Sequence, residues 1–212
     1  MDLRWRLVPL AVMRNLTSAP ILSSSRHSGD DQSGNEHKGK RLEQANPTGT
    51  RFNDILIGVE APDVVVGLGG SDVLRGMGGN DTLIGVNAVG KNPGRNETDV
   101  LYGGTGADTF VLGDFDGGVY YLDKGNKGGG KKSYAGIQDF EDGDKITLRC
   151  YEMGEYELDK NYRVGNVTAT AIYYNKDGQA GISRGDDMVA VVQGSGAASL
   201  DLMNNNQFNW II

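Results

Sequence analysis

Gly67-Leu-Gly-Gly-Ser-Asp72-Val-Leu74-Arg75 and Gly76-Met-Gly-Gly-Asn-Asp81-Thr-Leu83-Ile84 are consecutive nonapeptides with one pattern. Glycine holds the first, third and fourth places, aspartate the sixth and a large apolar residue the eighth. A third clear copy is Gly103-Gly-Thr-Gly-Ala-Asp108-Thr-Phe110-Val111. Weaker copies share the frame. Gly49–Ile57 keeps Asp54 and Leu56 but has Phe52 at the fourth place. Gly58–Val66 keeps Asp63 and Val65 around Ala61 and Pro62, and Gly94–Tyr102 keeps Asp99 and Leu101 with Glu97 at the fourth place. A repeat of this kind fixes the architecture before any other pattern is considered.

Six residues of each unit suit a turn, where glycine permits conformations that other residues resist. The remaining three make a short strand whose middle side chain points inward. The expected core is therefore Leu56, Val65, Leu74, Leu83, Leu101 and Phe110. Two units complete one coil of a flattened parallel β-solenoid, so aspartates on one edge should recur every 18 residues or so. The fold class expected is all-β: a parallel β-roll followed by a β-rich C-terminal cap.

Stacked turns present aspartate carboxylates and outward backbone carbonyls, a hard oxygen cage that suits Ca2+ better than zinc or copper. The candidate ligands are the carboxylates of Asp54, Asp63, Asp72, Asp81, Asp99 and Asp108. To these we add the first- and third-place residues Gly67, Gly69, Gly76, Gly78, Gly103 and Thr105. The turns resemble the RTX, or hemolysin-type, calcium-binding repeat, Gly-Gly-x-Gly-x-Asp-x-apolar-x. Gly103–Val111 matches it throughout, and Gly67–Ile84 matches a variant with the glycine pair shifted to the third and fourth places. The resemblance covers roughly a third of the chain. It implies a β-roll with calcium between turns, an extracellular location, and often export by a type I system that reads the C-terminus.

Gly85–Pro93 keeps the nine-residue length but puts Gly90 at the sixth place and Asn92 at the eighth. As a degenerate turn inside the roll it would pair Asp81 with Asp99. Looped out, it would pair Asp72 with Asp99 and Asp81 with Asp108. Burying Asn92 without a partner costs a few kcal/mol, which favours the loop. Either way Asp54 pairs with Asp72 and Asp63 with Asp81.

Four regions follow. Residues 1–48 read as a disordered tail with solvated His27 and His37. Its Leu7–Met13 stretch is a marginal match to a secretory signal. Residues 49–113 are the roll, 114–133 a flexible Gly/Lys loop, and 134–212 the capping region. Gly125–Lys132 grazes a P-loop pattern without its Ser or Thr and reads as loop. Ile137–Leu148 resembles the segment that closes RTX rolls, its Asp139, Glu141, Asp142 and Asp144 reading as a solvated turn, with a further ion site as the alternative. Val167–Tyr174 and Ala180–Arg184 read as a hairpin and Met188–Val192 as a strand. Phe208–Ile212 resembles the apolar end of a type I export signal, with a buried last strand as the alternative. Cys150 reads as a buried structural thiol, Arg184-Gly-Asp186 as a turn, and Asn15, Asn96 and Asn166 as sequons of consequence only on a eukaryotic secretory route.

Composition narrows the function. Glycine is 33 of 212 residues, about twice the usual share of roughly 7%. The net charge of -7 argues against nucleic acid as partner, since phosphate binding needs a basic stripe, and suits divalent cations. No run approaches the roughly 18 apolar residues of a membrane span. The function expected is calcium-dependent folding of a secreted, non-catalytic module of unknown oligomeric state. The alternative is a hydrolase or lytic toxin with its active part in residues 134–212. Against it, no histidine follows His37 and no HExxH occurs.

Overall fold

The computed structural model describes residues 41–123, 132–152, 154–176, 178–183 and 185–212. The readings of Leu7–Met13, His27, His37, Asn15, Arg184 and most of the P-loop-like stretch lie outside the described residues. Strands from alternate nonapeptides enter two facing sheets. In one, β1 (Arg41–Glu43), β2 (Ile55–Ile57), β4 (Val73–Gly78), β6 (Thr98–Thr105) and β10 (Tyr134–Ile137) run parallel in that order. In the other, β3 (Val64–Val66), β5 (Thr82–Ile84), β7 (Thr109–Val111), β11 (Lys145–Arg149) and β15 (Phe208–Ile211) do the same. The result is the expected parallel β-roll.

The eighth-place side chains meet between the sheets. Leu56, Leu74, Leu101 and Ile137 stack through one, and Val65, Leu83, Phe110, Ile146 and Phe208 through the other. All nine are at most 1% exposed. Each such side chain contributes about 1.5–3 kcal/mol by leaving water.

The register resolves the break. Leu56 lies beside Leu74, 18 residues on, but Leu74 lies beside Leu101 and Leu83 beside Phe110, 27 residues on. Nine residues therefore loop out, and Val89 at the loop's tip is 87% exposed.

The boundaries differ from those read in the sequence. The roll starts at β1, inside the segment taken as tail, because Leu42 pairs in register with Leu56. It continues past residue 113. In the stretch taken as flexible loop, β8 (Gly113–Asp114) and β9 (Gly118–Val119) form a short antiparallel pair, and Tyr120 and Tyr121 are buried. β10, β11 and β15 lengthen both sheets before any cap begins.

The cap itself is antiparallel. β12 (Tyr156–Val164) and β13 (Val167–Tyr174) pair through a turn at Gly165, φ 59°, and β13 pairs with β14 (Asp187–Val192), itself beside β10. The hairpin expected between Val167–Tyr174 and Ala180–Arg184 is thus corrected. Residues 180–183 form no strand, and their one large apolar residue, Ile182, is 42% exposed. The fully buried β14 is the better partner. Among the described residues no helix is long and apolar enough to cross a membrane.

Candidate metal centre

The roll gathers the six predicted aspartates into two ladders, one on each edge. All are at most 3% exposed. Asp72, Asp81, Asp99 and Asp108 are each held by the preceding coil, whose aspartate N–H donates to their Oδ1. On one edge Asp54 donates to Asp72 (2.7 Å) and Asp72 to Asp99 (2.8 Å). On the other, Asp63 donates to Asp81 and Asp81 to Asp108, both at 2.8 Å. The second ladder continues: the Asp108 N–H donates to Asp144 Oδ1 at 2.9 Å. Asp144 is 2% exposed, which corrects the solvated turn read there. It stands four nonapeptides beyond Asp108 with Ile146 at the eighth place, a signal that a longer search of the frame finds.

The other carboxylate oxygen separates the turns. Asp54 Oδ2 accepts from the Thr50 N–H and hydroxyl, and Asp63 Oδ2 from the Val59 N–H at 2.7 Å. Oδ2 of Asp72, Asp81 and Asp108 is buried with no hydrogen-bond partner. Backbone conformation explains the split. In the turns of these three the second residue has positive φ: Leu68 at 74°, Met77 at 88° and Gly104 at 98°. Thr50 and Val59 do not, and their N–H groups reach the carboxylate of their own turn. The shift of the glycine pair in Gly67–Ile84 thus leaves the turn conformation unchanged. Leu68 and Met77 occupy the glycine conformation itself.

The predicted glycines make room. A Cβ at Gly67 would land on Asp72 Oδ2 and the Gly85 carbonyl oxygen, and one at Gly76 on Asp81 Oδ2 and the Gly103 carbonyl oxygen. At Gly103 it would land on Asp108 Oδ2. A Cβ at Gly78 would meet the Glu60 carboxylate, whereas Gly69 has ordinary contacts only. Thr105 is exposed at the end of β6, its carbonyl accepting from the Gly79 N–H at 2.9 Å.

Further acids, none of them among the predicted ligands, surround the orphaned oxygens. Glu97 accepts from the Gly70 N–H at 3.2 Å, and its charge bears on Asp72. Glu60 bears on Asp81, and Asp139 and Glu141 on Asp108. Asp139 is anchored by the Gly103 and Gly104 N–H groups at 2.9 and 3.0 Å. Burial pushes the carboxyls up: Asp72 to about 8, Asp99 to about 7, Asp108 and Asp144 to about 6, and Asp81 and Glu97 in the same direction. Backbone N–H donors pull back and neighbouring carboxylates push further, but desolvation leads in each.

The chemistry is that of a site that suits a cation. Carboxylate and carbonyl oxygens face each other with no donor between them. Among the described residues no three His, Cys, Asp or Glu side chains converge as a metal site by themselves. Backbone carbonyls would have to complete the shell, as oxygen-seeking calcium accepts. A family model described as the RTX calcium-binding nonapeptide repeat matches residues 48–83 and 94–118, in four copies. The chain carries RTX-type calcium-binding repeats. Their ion is calcium, and the unmatched residues 84–93 take in the stretch that interrupts the repeat. No curated protein matches the chain. Among solved structures it is similar to the solution structure of the R3 subunit of a mannuronan C5-epimerase from Azotobacter vinelandii. Identity is 23%, coverage 78% of this chain and 82% of that one, and the TM-score 0.49.

Proposed function

We propose that the chain is a non-catalytic module that folds on binding calcium and works outside the cell. What carries this is the set of three buried carboxylate oxygens with no donor, on Asp72, Asp81 and Asp108, each beside a second acid. Without a cation each is an uncompensated desolvation cost, and a divalent ion relieves it. Asp72, Asp81 and Asp108 are the principal ligands in this proposal. Asp54 and Asp63 are weaker candidates, since their own turns already satisfy Oδ2.

Extracellular calcium modules bind with dissociation constants of roughly 10⁻⁴ to 10⁻³ M. Such a module stays loose where calcium is scarce and folds where it is abundant. Free calcium at a hundredfold excess over the dissociation constant adds about 2.7 kcal/mol per site. Far-UV circular dichroism of the full chain should show little β-structure in chelator and a β-roll spectrum in millimolar calcium. Identical spectra would end the proposal.

A further inference from the structure

The ladder through Asp54, Asp72 and Asp99 ends differently from its partner. Asp99 is fully buried, and both its carboxylate oxygens are taken. Oδ1 accepts from the Asp72 N–H at 2.8 Å and Oδ2 from the Tyr121 hydroxyl at 2.7 Å. The place of that hydroxyl is informative. A Cβ on Gly67 would meet Asp72 Oδ2 and a carbonyl oxygen of the next coil, and Gly76 repeats the arrangement. A Cβ on Gly85 would meet Asp99 Oδ2 and the Tyr121 hydroxyl oxygen. The phenol thus stands where other coils present a carbonyl.

That exchange reverses the chemistry. A carbonyl and a carboxylate are both acceptors, and a cation between them satisfies both. A phenol is a donor, so it satisfies the carboxylate with no ion. The surrounding structure is shaped to hold it. Tyr121 sits at φ 61°, a conformation a bulky residue rarely takes. Its N–H donates to the Pro93 carbonyl at 2.9 Å, and a Cβ on Gly94 would strike its ring at 2.6 Å. Pro93 ends the stretch that breaks the repeat and Gly94 follows it directly, so the end of the insertion builds the slot for the ring.

We infer that Tyr121 is an internal plug that closes one row of calcium sites, keeping an ion from Asp99 by donating a hydrogen bond in its place. This rests on the calcium reading above. The test is calorimetric titration of the full chain with calcium chloride, counting ions per chain for wild type, Asp72→Asn, Asp99→Asn and Tyr121→Phe. The expected counts are one fewer for Asp72→Asn, no change for Asp99→Asn, and one more for Tyr121→Phe, whose Asp99 Oδ2 is left bare. Loss of an ion in Asp99→Asn would overturn the inference, and so would an unchanged or reduced count in Tyr121→Phe. Should Tyr121→Phe not fold, Asp99→Asn decides alone. A wild type that takes up no calcium would remove the calcium reading itself, a result distinct from any change confined to the variants.

Discussion

At the scale of single residues, the turns trade stability without calcium for affinity with it. Asp72 shows this most clearly, since its Oδ1 is tied to the Asp54 N–H while its Oδ2 has no donor. Asp72→Asn keeps the first contact and replaces the second oxygen with an amide that can donate to the facing Gly85 carbonyl. The variant should melt higher than wild type without calcium and lower with it, a crossing that thermal melts in both conditions would show. A fall in both would mean that Asp72 is merely structural. Met77 makes a different point. It holds φ 88° where an L-residue pays about 1–2 kcal/mol, and its side chain is 42% exposed, so little packing offsets the strain. Met77→Gly should stabilise the chain by about 0.5–1 kcal/mol after the glycine's greater unfolded freedom is subtracted, read as a shift in denaturation midpoint.

At the scale of elements, every strand is too short to stand alone, and its register comes from the coil beneath. Leu101 pairs with Leu74 on one side and Ile137 on the other, joining coils before and after the insertion. Leu101→Ala should cost about 2–5 kcal/mol and reduce the cooperativity of calcium-induced folding, since the cavity lies at that junction. A loss below about 1 kcal/mol would mean the two parts of the roll are not mechanically coupled. The elements were also the most legible level of the sequence. Asp and an apolar residue two places later recur in one frame, and the inward side chains follow from strand alternation. Asp144 obeys the same frame but was hidden, because Asp139 replaces the first glycine and its neighbours look like a charged turn. Tyr121 could not be read at all. Its partner Asp99 is 22 residues away, and only the folded path of the insertion brings them together.

At the scale of the whole molecule, a chain of net charge -7 buries a series of its acids along two edges. Calcium and protons are alternative ways of neutralising them. An acid whose folded value is raised binds more protons folded than unfolded, so its stabilising contribution is full below the unfolded value and lost as pH rises through the folded one. For Asp108 and Asp144 that loss centres near pH 6, for Asp99 near 7 and for Asp72 near 8, each starting from 3.8. The calcium-free roll should therefore melt at progressively lower temperature from pH 5 to pH 8. At the ligands Asp72 and Asp108 calcium displaces the proton, so its affinity should climb across the same window. Saturating calcium should consequently raise the melting temperature little at pH 5 and most at pH 8. Melts of calcium-stripped and calcium-loaded chain at unit pH steps would show the two curves diverging. Parallel curves would mean that the ion does not compete with protons for these carboxylates, and that it is bound elsewhere.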